Sequence, residues 1–277
     1  MIELKVLELF GGIGACSKAL KNLGIPYKIV DYVEIDKYAV KSFNAINGTN
    51  FEPQDICKWD KDIEVDLIMH GSPCQDFSLA GKQAGGDKDS GTRSSLMYET
   101  LRIVNKLKPK YVIWENVKNV ISKKHKHNFD NYINELNELG YTSYYQVLNA
   151  KDYGIPQNRE RVFVISILGE HKPFVFPPKQ ELTLKLEDLL EEKVDEKYYL
   201  SDEIINKITY DKVEKCEDHF NIKNANKRGY LEASSGDGCY ITNIDKKRGT
   251  VQKEMIPTLK TSPDIGVVVN DDSRPSN

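Results

Sequence analysis

The chain has 277 residues, of which 39% are hydrophobic and 29% charged, and its formal net charge is -3. That length accommodates one or two domains with enough residues to bury a core. The composition excludes a wholly disordered chain, and the lack of any run of about 18 apolar residues excludes a membrane-spanning helix. The nearly neutral charge excludes nucleic-acid binding through overall charge alone, although local basic patches remain compatible with it.

The cysteines are odd in number, widely spaced and without a C-x-x-C pair: Cys16, Cys57, Cys74, Cys216 and Cys239. This pattern argues against a disulfide scaffold and favours a reducing compartment. The N-terminal sequence enters a strand-like segment directly, without the basic and apolar zones of a signal peptide. We therefore expect a cytoplasmic protein.

Strand-like runs alternate with helical stretches over the first two thirds of the chain. The predicted strands are 5–9, 27–33, 65–69, 111–114, 141–148 and 162–167, and the predicted helices are 17–22, 37–47, 95–107 and 129–139. This alternation predicts an α/β fold, with a mostly parallel, Rossmann-like sheet and helices on both of its faces.

The pattern changes after Lys172, where three prolines interrupt the chain. Residues 181–218 contain 13 acidic and 6 basic residues, whereas residues 221–260 contain 4 acidic and 8 basic residues. We predict a first domain at 1–172 and a smaller, loop-rich second domain at 173–277. The basic section of the second domain either faces a polyanion or is an ordinary solvated surface.

A glycine loop, Phe10-Gly11-Gly12-Ile13-Gly14, connects the first predicted strand to a helix. Glycines there let the chain turn tightly and let a ligand approach main-chain N–H groups. The dinucleotide-binding pattern requires a third glycine where this chain has Ser17, so a pyrophosphate site has little support.

Two carboxylates extend the glycine loop into a candidate ligand site. Glu34 ends the second strand, 20 residues beyond Gly14, where a carboxylate can accept both hydroxyls of a ribose. Asp55 follows in the next short segment and can reach an adenine amino group. This combination suits an adenosine ligand without a phosphate chain, such as S-adenosylmethionine, although a tight turn alone is the simpler alternative.

A cysteine loop, Gly71-Ser72-Pro73-Cys74-Gln75, follows the third strand at the edge where open α/β sheets place their ligands. A thiolate is a strong nucleophile, but an isolated cysteine is more often a spare residue. Metal binding through His70 and Cys74 is a further alternative with too few ligands. The surroundings favour a reaction site, because Glu115 ends the fourth strand and Arg159 and Arg161 share one face of an extended segment.

These motifs together resemble the cytosine-C5 DNA methyltransferases of phages and restriction-modification systems. The resemblance extends from about Val6 to Ile167 and rests on motifs in the family's order: Leu9-Phe10-Gly11-Gly12-Ile13-Gly14, Val33-Glu34-Ile35-Asp36, Gln54-Asp55-Ile56, Gly71-Ser72-Pro73-Cys74-Gln75, Thr92-Arg93-Ser94-Ser95-Leu96, Glu115-Asn116-Val117 and Gln157-Asn158-Arg159-Glu160-Arg161. Later, the segment 256–261 is similar to part of the family's target-recognition region.

The resemblance implies S-adenosyl-L-methionine as the cofactor, double-stranded DNA as the partner, no metal, and the fold of S-adenosylmethionine-dependent methyltransferases. It assigns catalysis to four residues: Cys74, Glu115, Arg159 and Arg161. It assigns cofactor binding to nine residues: Phe10, Gly12, Gly14, Glu34, Ile35, Asp55, Ile56, Pro73 and Leu96. The first domain would then be catalytic and the second would recognise the DNA target.

The implied reaction begins when a cytosine has left the duplex and the Cys74 thiolate adds to its C6. Glu115 stabilises a proton on N3, Arg161 holds O2 with support from Arg159, and C5 accepts the methyl group. Removal of the C5 proton then expels Cys74.

The motifs with which this family usually ends are not found after Val269. One hypothesis is therefore a split enzyme, in which a second polypeptide supplies the closing helix. The alternatives are a truncated, inactive remnant that binds DNA or the cofactor, and a tRNA cytosine-C5 methyltransferase. The Pro-Cys-Gln loop and the long recognition region favour DNA over RNA.

Overall fold

A computed structural model describes residues 3–73, 93–210, 219–241, 249–259 and 264–269. The chain forms two compact units: residues 1–148 with 160–176, and residues 149–159 with 177–277. Within the described ranges, no helix has the length and apolar character needed to cross a membrane.

The first unit is built around strands that alternate with helices. In chain order its elements are β1 (Leu4–Leu9), α1 (Ala15–Asn22), β2 (Tyr27–Val33), α2 (Lys37–Asn47), β3 (Leu67–His70), α3 (Met97–Leu107), β4 (Tyr111–Val117), α4 (Lys126–Glu138) and β5 (Tyr141–Asn149). A two-residue strand, β6 (Gln157–Asn158), precedes β7 (Glu160–Leu168), which returns to this sheet.

The strands form a six-stranded sheet in the order β2-β1-β3-β4-β7-β5. The pairings of β1 with β2, β1 with β3 and β3 with β4 are parallel, whereas β4 pairs antiparallel with β7. The mostly parallel, Rossmann-like fold predicted from the sequence is therefore confirmed. Because β1, β3 and β4 run in the same direction, their carboxyl ends meet at one edge of the sheet, where such folds bind ligands.

Local signals explain where the helices begin and end. The side chain of Asp36 accepts hydrogen bonds from the main-chain N–H groups of Tyr38 and Ala39, which caps α2. Gly48 ends that helix with a φ of 65°, a left-handed conformation that glycine adopts without strain. These caps, together with an apolar face that buries Val40 and Phe43, are sufficient to specify this helix.

The core of the first unit lies against the central strands. Trp114 from β4 contacts the rings of Tyr132 and Phe129 from α4, at centroid distances of 4.3 and 5.9 Å. All three side chains are at most 2% exposed. Burying one such ring contributes roughly 1.5–3 kcal/mol, so this cluster fixes α4 firmly on the sheet.

The second unit consists of short elements. They are α5 (Asp202–Ile208), β8 (His219–Lys223), β9 (Tyr230–Ser234), β10 (Gly238–Tyr240), β11 (Thr250–Gln252), β12 (Ile256–Pro257) and β13 (Ile265–Val267). β8 pairs antiparallel with β9, β10 pairs antiparallel with β11 and β13, and β12 pairs parallel with β6. The segment 149–159, which contains Gln157 and Arg159, therefore belongs to this unit.

Candidate cofactor and catalytic site

The glycine loop after β1 has a backbone that ordinary residues rarely adopt. Phe10, Gly12 and Gly14 have φ values of 53°, 53° and 90°. The conformation costs little at the two glycines but about 1–3 kcal/mol at a residue such as Phe10. Strain of this kind is concentrated at functional sites, and here it occurs in the loop that leads to the N-terminus of α1.

An aromatic platform below the loop explains why glycines are required. The rings of Tyr32 and Phe43 stack at 3.8 Å and are completely buried. A Cβ on Gly11 would lie 2.6 Å from the Tyr32 ring, and one on Gly14 would lie 2.9 Å from the Phe43 ring. Around Gly12, in contrast, no atom of the described part of the chain lies within 4 Å of an added Cβ, so these residues leave space open at the middle of the loop.

Glu8, in β1, is a buried carboxyl group directly below the loop. Its Oε1 accepts a hydrogen bond from the hydroxyl of Ser17, and both side chains have no exposed surface. Its Oε2 has no hydrogen-bond partner among the residues that the structure describes. Burial raises the pKa of Glu8 to about 7, against a smaller opposing effect of the Ser17 backbone N–H. Ser17, which replaces the third glycine of the dinucleotide-binding pattern, therefore ties α1 to β1.

Glu34 lies at the end of β2, facing the glycine loop. One carboxylate oxygen accepts from the main-chain N–H of Gly12 at 3.2 Å. The other accepts from the main-chain N–H groups of Ile35 and Asp36, at 2.8 and 2.9 Å. These bonds hold the carboxylate beside the open space at Gly12, with the Ile35 side chain 70% exposed next to it.

The remaining cofactor candidates differ in exposure. Asp55 is half-buried and accepts a hydrogen bond from the N–H of Cys57, which caps a 3-10 turn at Ile56–Lys58. Ile56 is only 5% exposed and belongs to the main core, against which Leu96 also packs. Pro73, within the cysteine loop, is half-buried and is the last described residue before Cys74.

The carboxyl end of β4 holds an ion pair. Glu115 Oε1 lies 2.9 Å from Nε of Arg161, on the neighbouring strand β7. A second nitrogen of Arg161 donates to the main-chain oxygen of Glu160 at 2.7 Å. The side chains of Glu115 and Arg161 are 33% and 16% exposed, so both are accessible yet partly withdrawn from water. Glu115 lies within strand β4, near its carboxyl end.

Ser72 is the buried anchor at the start of the cysteine loop. Its hydroxyl accepts from the indole N–H of Trp114 at 3.0 Å and from the Asn116 amide at 3.3 Å, and its main-chain oxygen accepts from Asn116 at 3.1 Å. The three side chains are at most 3% exposed. The strand that carries Glu115 thus also holds the chain two residues before Cys74. Cys74 itself lies outside the described residues.

His70, at the end of β3, is a core residue. Its Nε2 is 2.8 Å from the hydroxyl of Tyr132, and its ring stacks on Trp114. Burial lowers the pKa of His70 to about 3, so the ring is neutral. Among the described residues, no group of three or more His, Cys, Asp or Glu side chains could hold a metal ion.

Arg159 belongs to the second unit, whereas Arg161 belongs to the first. Arg159 N donates to Asn149 Oδ1 at 3.0 Å, and Arg159 O accepts from Ala150 N at 3.1 Å. These bonds fix the backbone of the arginine within its unit. The two arginines, expected to share one face of an extended segment, therefore lie on either side of a unit boundary.

Sequence reasoning did not identify Glu8, Tyr32 or Ser72 as parts of the site. Glu8 left a detectable signal, since it is the single acidic residue of an otherwise largely apolar strand, LKVLEL. Tyr32 and Ser72 act through contacts with residues 20 and 42 positions away, respectively, which no local pattern reveals.

The fold is of the S-adenosylmethionine-dependent methyltransferase type. The family model of the C-5 cytosine-specific DNA methylases matches residues 4–274, so the chain belongs to that family.

Among its relatives, the type II methyltransferase M2.ScrFI of Lactococcus lactis subsp. cremoris is 47% identical over 190 residues, which cover 65% of this chain and 52% of that protein. The orphan methyltransferase M.SPRI of Bacillus phage SPR is 36% identical over 242 residues, covering 75% and 54% of the two chains. The chain thus spans about half the length of the curated relatives it matches.

A solved structure of a DNMT2 variant from Spodoptera frugiperda matches with a TM-score of 0.62 and 25% identity. The match covers 75% of this chain and 66% of that one.

Proposed function

We propose that the chain transfers a methyl group from S-adenosyl-L-methionine to C5 of a cytosine in duplex DNA. The observation that carries this proposal is the ion pair between Glu115 on β4 and Arg161 on β7. Trp114 and Asn116, the neighbours of Glu115 on β4, donate hydrogen bonds to Ser72, two positions before Cys74. A carboxylic acid, a guanidinium and the start of a nucleophile loop meet at the edge of the sheet where such folds react.

The glycine loop fits the cofactor. The open space at Gly12 and its left-handed backbone provide a cradle next to the Glu34 carboxylate. Glu34 can accept ribose hydroxyls, Asp55 can accept an adenine amino group, and Phe10, Gly14, Ile35, Ile56, Pro73 and Leu96 would form the rest of this site. When bound, S-adenosyl-L-methionine supplies an electrophilic methyl group on a sulfonium.

The residues of the chain would activate the cytosine. The Cys74 thiolate forms a bond to C6 while N3 takes a proton stabilised by Glu115, which makes C5 electron-rich. C5 forms a bond to the methyl carbon as the bond from that carbon to sulfur breaks. A base then removes the C5 proton, and the electrons of that bond restore the C5–C6 double bond and expel Cys74.

Arg161, held by Glu115, would bind O2 of the base, and Arg159 would support it. The second unit would recognise the target sequence in DNA. A cytosine inside a duplex is not accessible to such a site, so the base must leave the stack first. The comparisons give no support to a second polypeptide, so the split-enzyme hypothesis stays a prediction, as does the alternative of an RNA substrate.

The decisive test is trapping of a covalent complex. Duplex DNA containing 5-fluorocytosine cannot lose the group on C5, so an enzyme of this mechanism remains attached to it. Incubated with S-adenosyl-L-methionine and such DNA, the chain should form an adduct that resists denaturation on a gel. Cys74→Ala should abolish the adduct, and Cys57→Ala, which changes an exposed cysteine of the first unit, should retain it. An adduct that persists in Cys74→Ala would refute the assignment of the nucleophile.

A further inference from the structure

The segment 54–61 carries two of the expected cofactor contacts but has little regular structure. Asp55 and Ile56 lie in it, and the 3-10 turn at Ile56–Lys58 is its only helical or strand element among the described residues 51–66. Sheet or helix hydrogen bonds therefore do not determine where Asp55 stands relative to Glu34. A main-chain bond from Gln54 to Glu34 and side-chain contacts must do so.

Asp31, in β2, is the acceptor on which this segment converges. Its Oδ2 lies 2.7 Å from the indole nitrogen of Trp59 and 2.7 Å from Nζ of Lys61. Its Oδ1 accepts from the Gln54 amide at 2.9 Å and from the main-chain N–H of Tyr32 at 3.0 Å. The residue is 3% exposed, so these donors replace water around a buried carboxylate.

The four donors keep Asp31 ionised. Burial by itself would raise the pKa of Asp31, but hydrogen bonds from Lys61, Trp59, Gln54 and Tyr32 lower it below the ordinary value. A neutral side chain at this position could not accept from all of these donors.

Gln54 links this network to Glu34. Its main-chain N–H donates to the Glu34 carbonyl at 2.8 Å, and its side-chain amide also donates to the Tyr32 carbonyl at 2.7 Å. Asp31 thus holds both ends of the segment, Gln54 at the start and Trp59 with Lys61 at the end. Asp55 lies between these attachment points.

We propose that Asp31 is a positioning residue, which fixes Asp55 relative to Glu34 and thereby sets the affinity for S-adenosyl-L-methionine. The proposal rests on the proposed function, because it takes Glu34 and Asp55 as cofactor contacts. Asp31 lies below the site and does not touch the reacting atoms, so its loss should weaken cofactor binding more than the rate of transfer.

The test uses Asp31→Asn, which retains the size of the side chain but removes its charge. Its matched control is Asp66→Asn, since Asp66 accepts from the main-chain N–H of Lys5 at the opposite end of β1. Titration calorimetry with S-adenosyl-L-methionine should show affinity weakened at least roughly 10-fold in Asp31→Asn, as expected for lost bonds to a charged acceptor. Asp66→Asn should stay within about 2-fold of the wild type.

The two tryptophans provide a readout that a general loss of structure would not produce. The chain contains only Trp59 and Trp114, and their indole N–H groups bind Asp31 and Ser72, respectively. In proton NMR spectra, Asp31→Asn should shift the Trp59 indole signal and leave that of Trp114 in place. If both signals change, the test uses Trp59→Phe in place of Asp31→Asn, because this variant keeps the Asp31–Lys61 pair. Trp59→Phe should weaken the binding of S-adenosyl-L-methionine roughly 3- to 10-fold.

An unchanged affinity with a shifted Trp59 signal would overturn the proposal. A wild-type chain that does not bind S-adenosyl-L-methionine would instead refute the proposed function. Hydrogen exchange then decides the positioning role separately: amides of residues 54–61 should exchange at least roughly 10-fold faster in Asp31→Asn than in Asp66→Asn. Equal exchange in the two variants would show that Asp31 does not hold the segment.

Discussion

The carboxyl ends of β1 and β4 carry the two parts of the candidate site, and they are built on different principles. At the end of β1 shape is decisive, because the rings of Tyr32 and Phe43 leave no room for a side chain at Gly11 or Gly14. At the end of β4 charge is decisive, because Glu115 faces a guanidinium on the neighbouring strand.

This difference suits two separate tasks. A cradle for a ligand must keep its form, and close packing on buried rings gives it little freedom to deform. A site that moves protons and stabilises a changing charge needs ionisable groups in fixed geometry, which the β4–β7 pairing and the Ser72 anchor provide. Substitutions at the two ends should therefore fail in different ways.

The largest effect is expected at the charged end, from Glu115→Gln. The variant retains the shape of the side chain but loses the acid and the ion pair with Arg161, so methyl transfer should fall roughly 10²- to 10⁴-fold. Cofactor affinity should change little. Transfer of labelled methyl groups to duplex DNA measures the first quantity, and titration calorimetry measures the second.

The matched control is Glu160→Gln, which removes the same charge one residue before Arg161. The Glu160 carboxylate pairs with Lys118 and is 46% exposed, so its loss should leave the rate within about 2-fold. Equal losses in the two variants would mean that Glu115 has no special role.

The next effect concerns the shaped end, where Gly14→Ala should destabilise the fold. The alanine would have to adopt a φ of 90° and would place its Cβ 2.9 Å from the Phe43 ring. Left-handed strain and overpacking together predict a loss of about 2–4 kcal/mol in the free energy of unfolding, with weaker cofactor binding. Urea unfolding measures the stability.

Gly24→Ala measures the cost of left-handed backbone strain without a steric clash. Gly24 has a φ of 65°, but no atom in the described ranges lies within 4 Å of an added Cβ, so only the strain of about 1 kcal/mol applies. If Gly24→Ala costs as much as Gly14→Ala, the aromatic platform does not determine the shape of the loop.

Much of the first unit could be predicted from the sequence because its signals are local. β2 and α2 have the bounds that the sequence predicts, and in α2 the caps Asp36 and Gly48 explain the agreement. Glu115 and Arg161 were site candidates from their positions in the sequence, and the resemblance assigned them to catalysis. Their contact follows from the register between β4 and β7.

The rest depends on contacts between distant residues. The pairing of β6 with β12 joins segments about 100 positions apart, as the bond from Thr258 to the Asn158 carbonyl shows. Two-residue strands have no periodicity to detect, so their partners cannot be predicted from pattern. The donors to Asp31 are likewise separated from it by up to 30 residues along the chain. Local propensity therefore predicted the elements but not the networks that hold the site.

The last prediction concerns the buried carboxyl group at the shaped end, Glu8. Its pKa is raised from an ordinary value of 4.5 to about 7 by burial. Between these values the folded protein retains a proton that the unfolded chain has released, so the free energy of unfolding falls as the pH rises. At about 1.4 kcal/mol per pKa unit, a rise from 4.5 to about 7 contributes at most about 3.5 kcal/mol, most of it lost by pH 7.

Glu8→Gln should remove this dependence, because glutamine resembles the protonated acid. The variant should be more stable than the wild type by less than about 1 kcal/mol at pH 5 and by about 3 kcal/mol at pH 8. His70 has the opposite dependence, since its lowered pKa makes stability fall as the pH drops below about 6.5. The His70 contribution is the same in the wild type and in Glu8→Gln, so it cancels in the difference between their free energies of unfolding. Urea unfolding at the two pH values measures that difference.

The control is Glu64→Gln, which changes an exposed carboxylate and should show no such dependence of the stability difference on pH. A stability difference for Glu8→Gln that is the same at pH 5 and pH 8 would show that Glu8 is ionised in the fold, and charge would then shape both ends of the site.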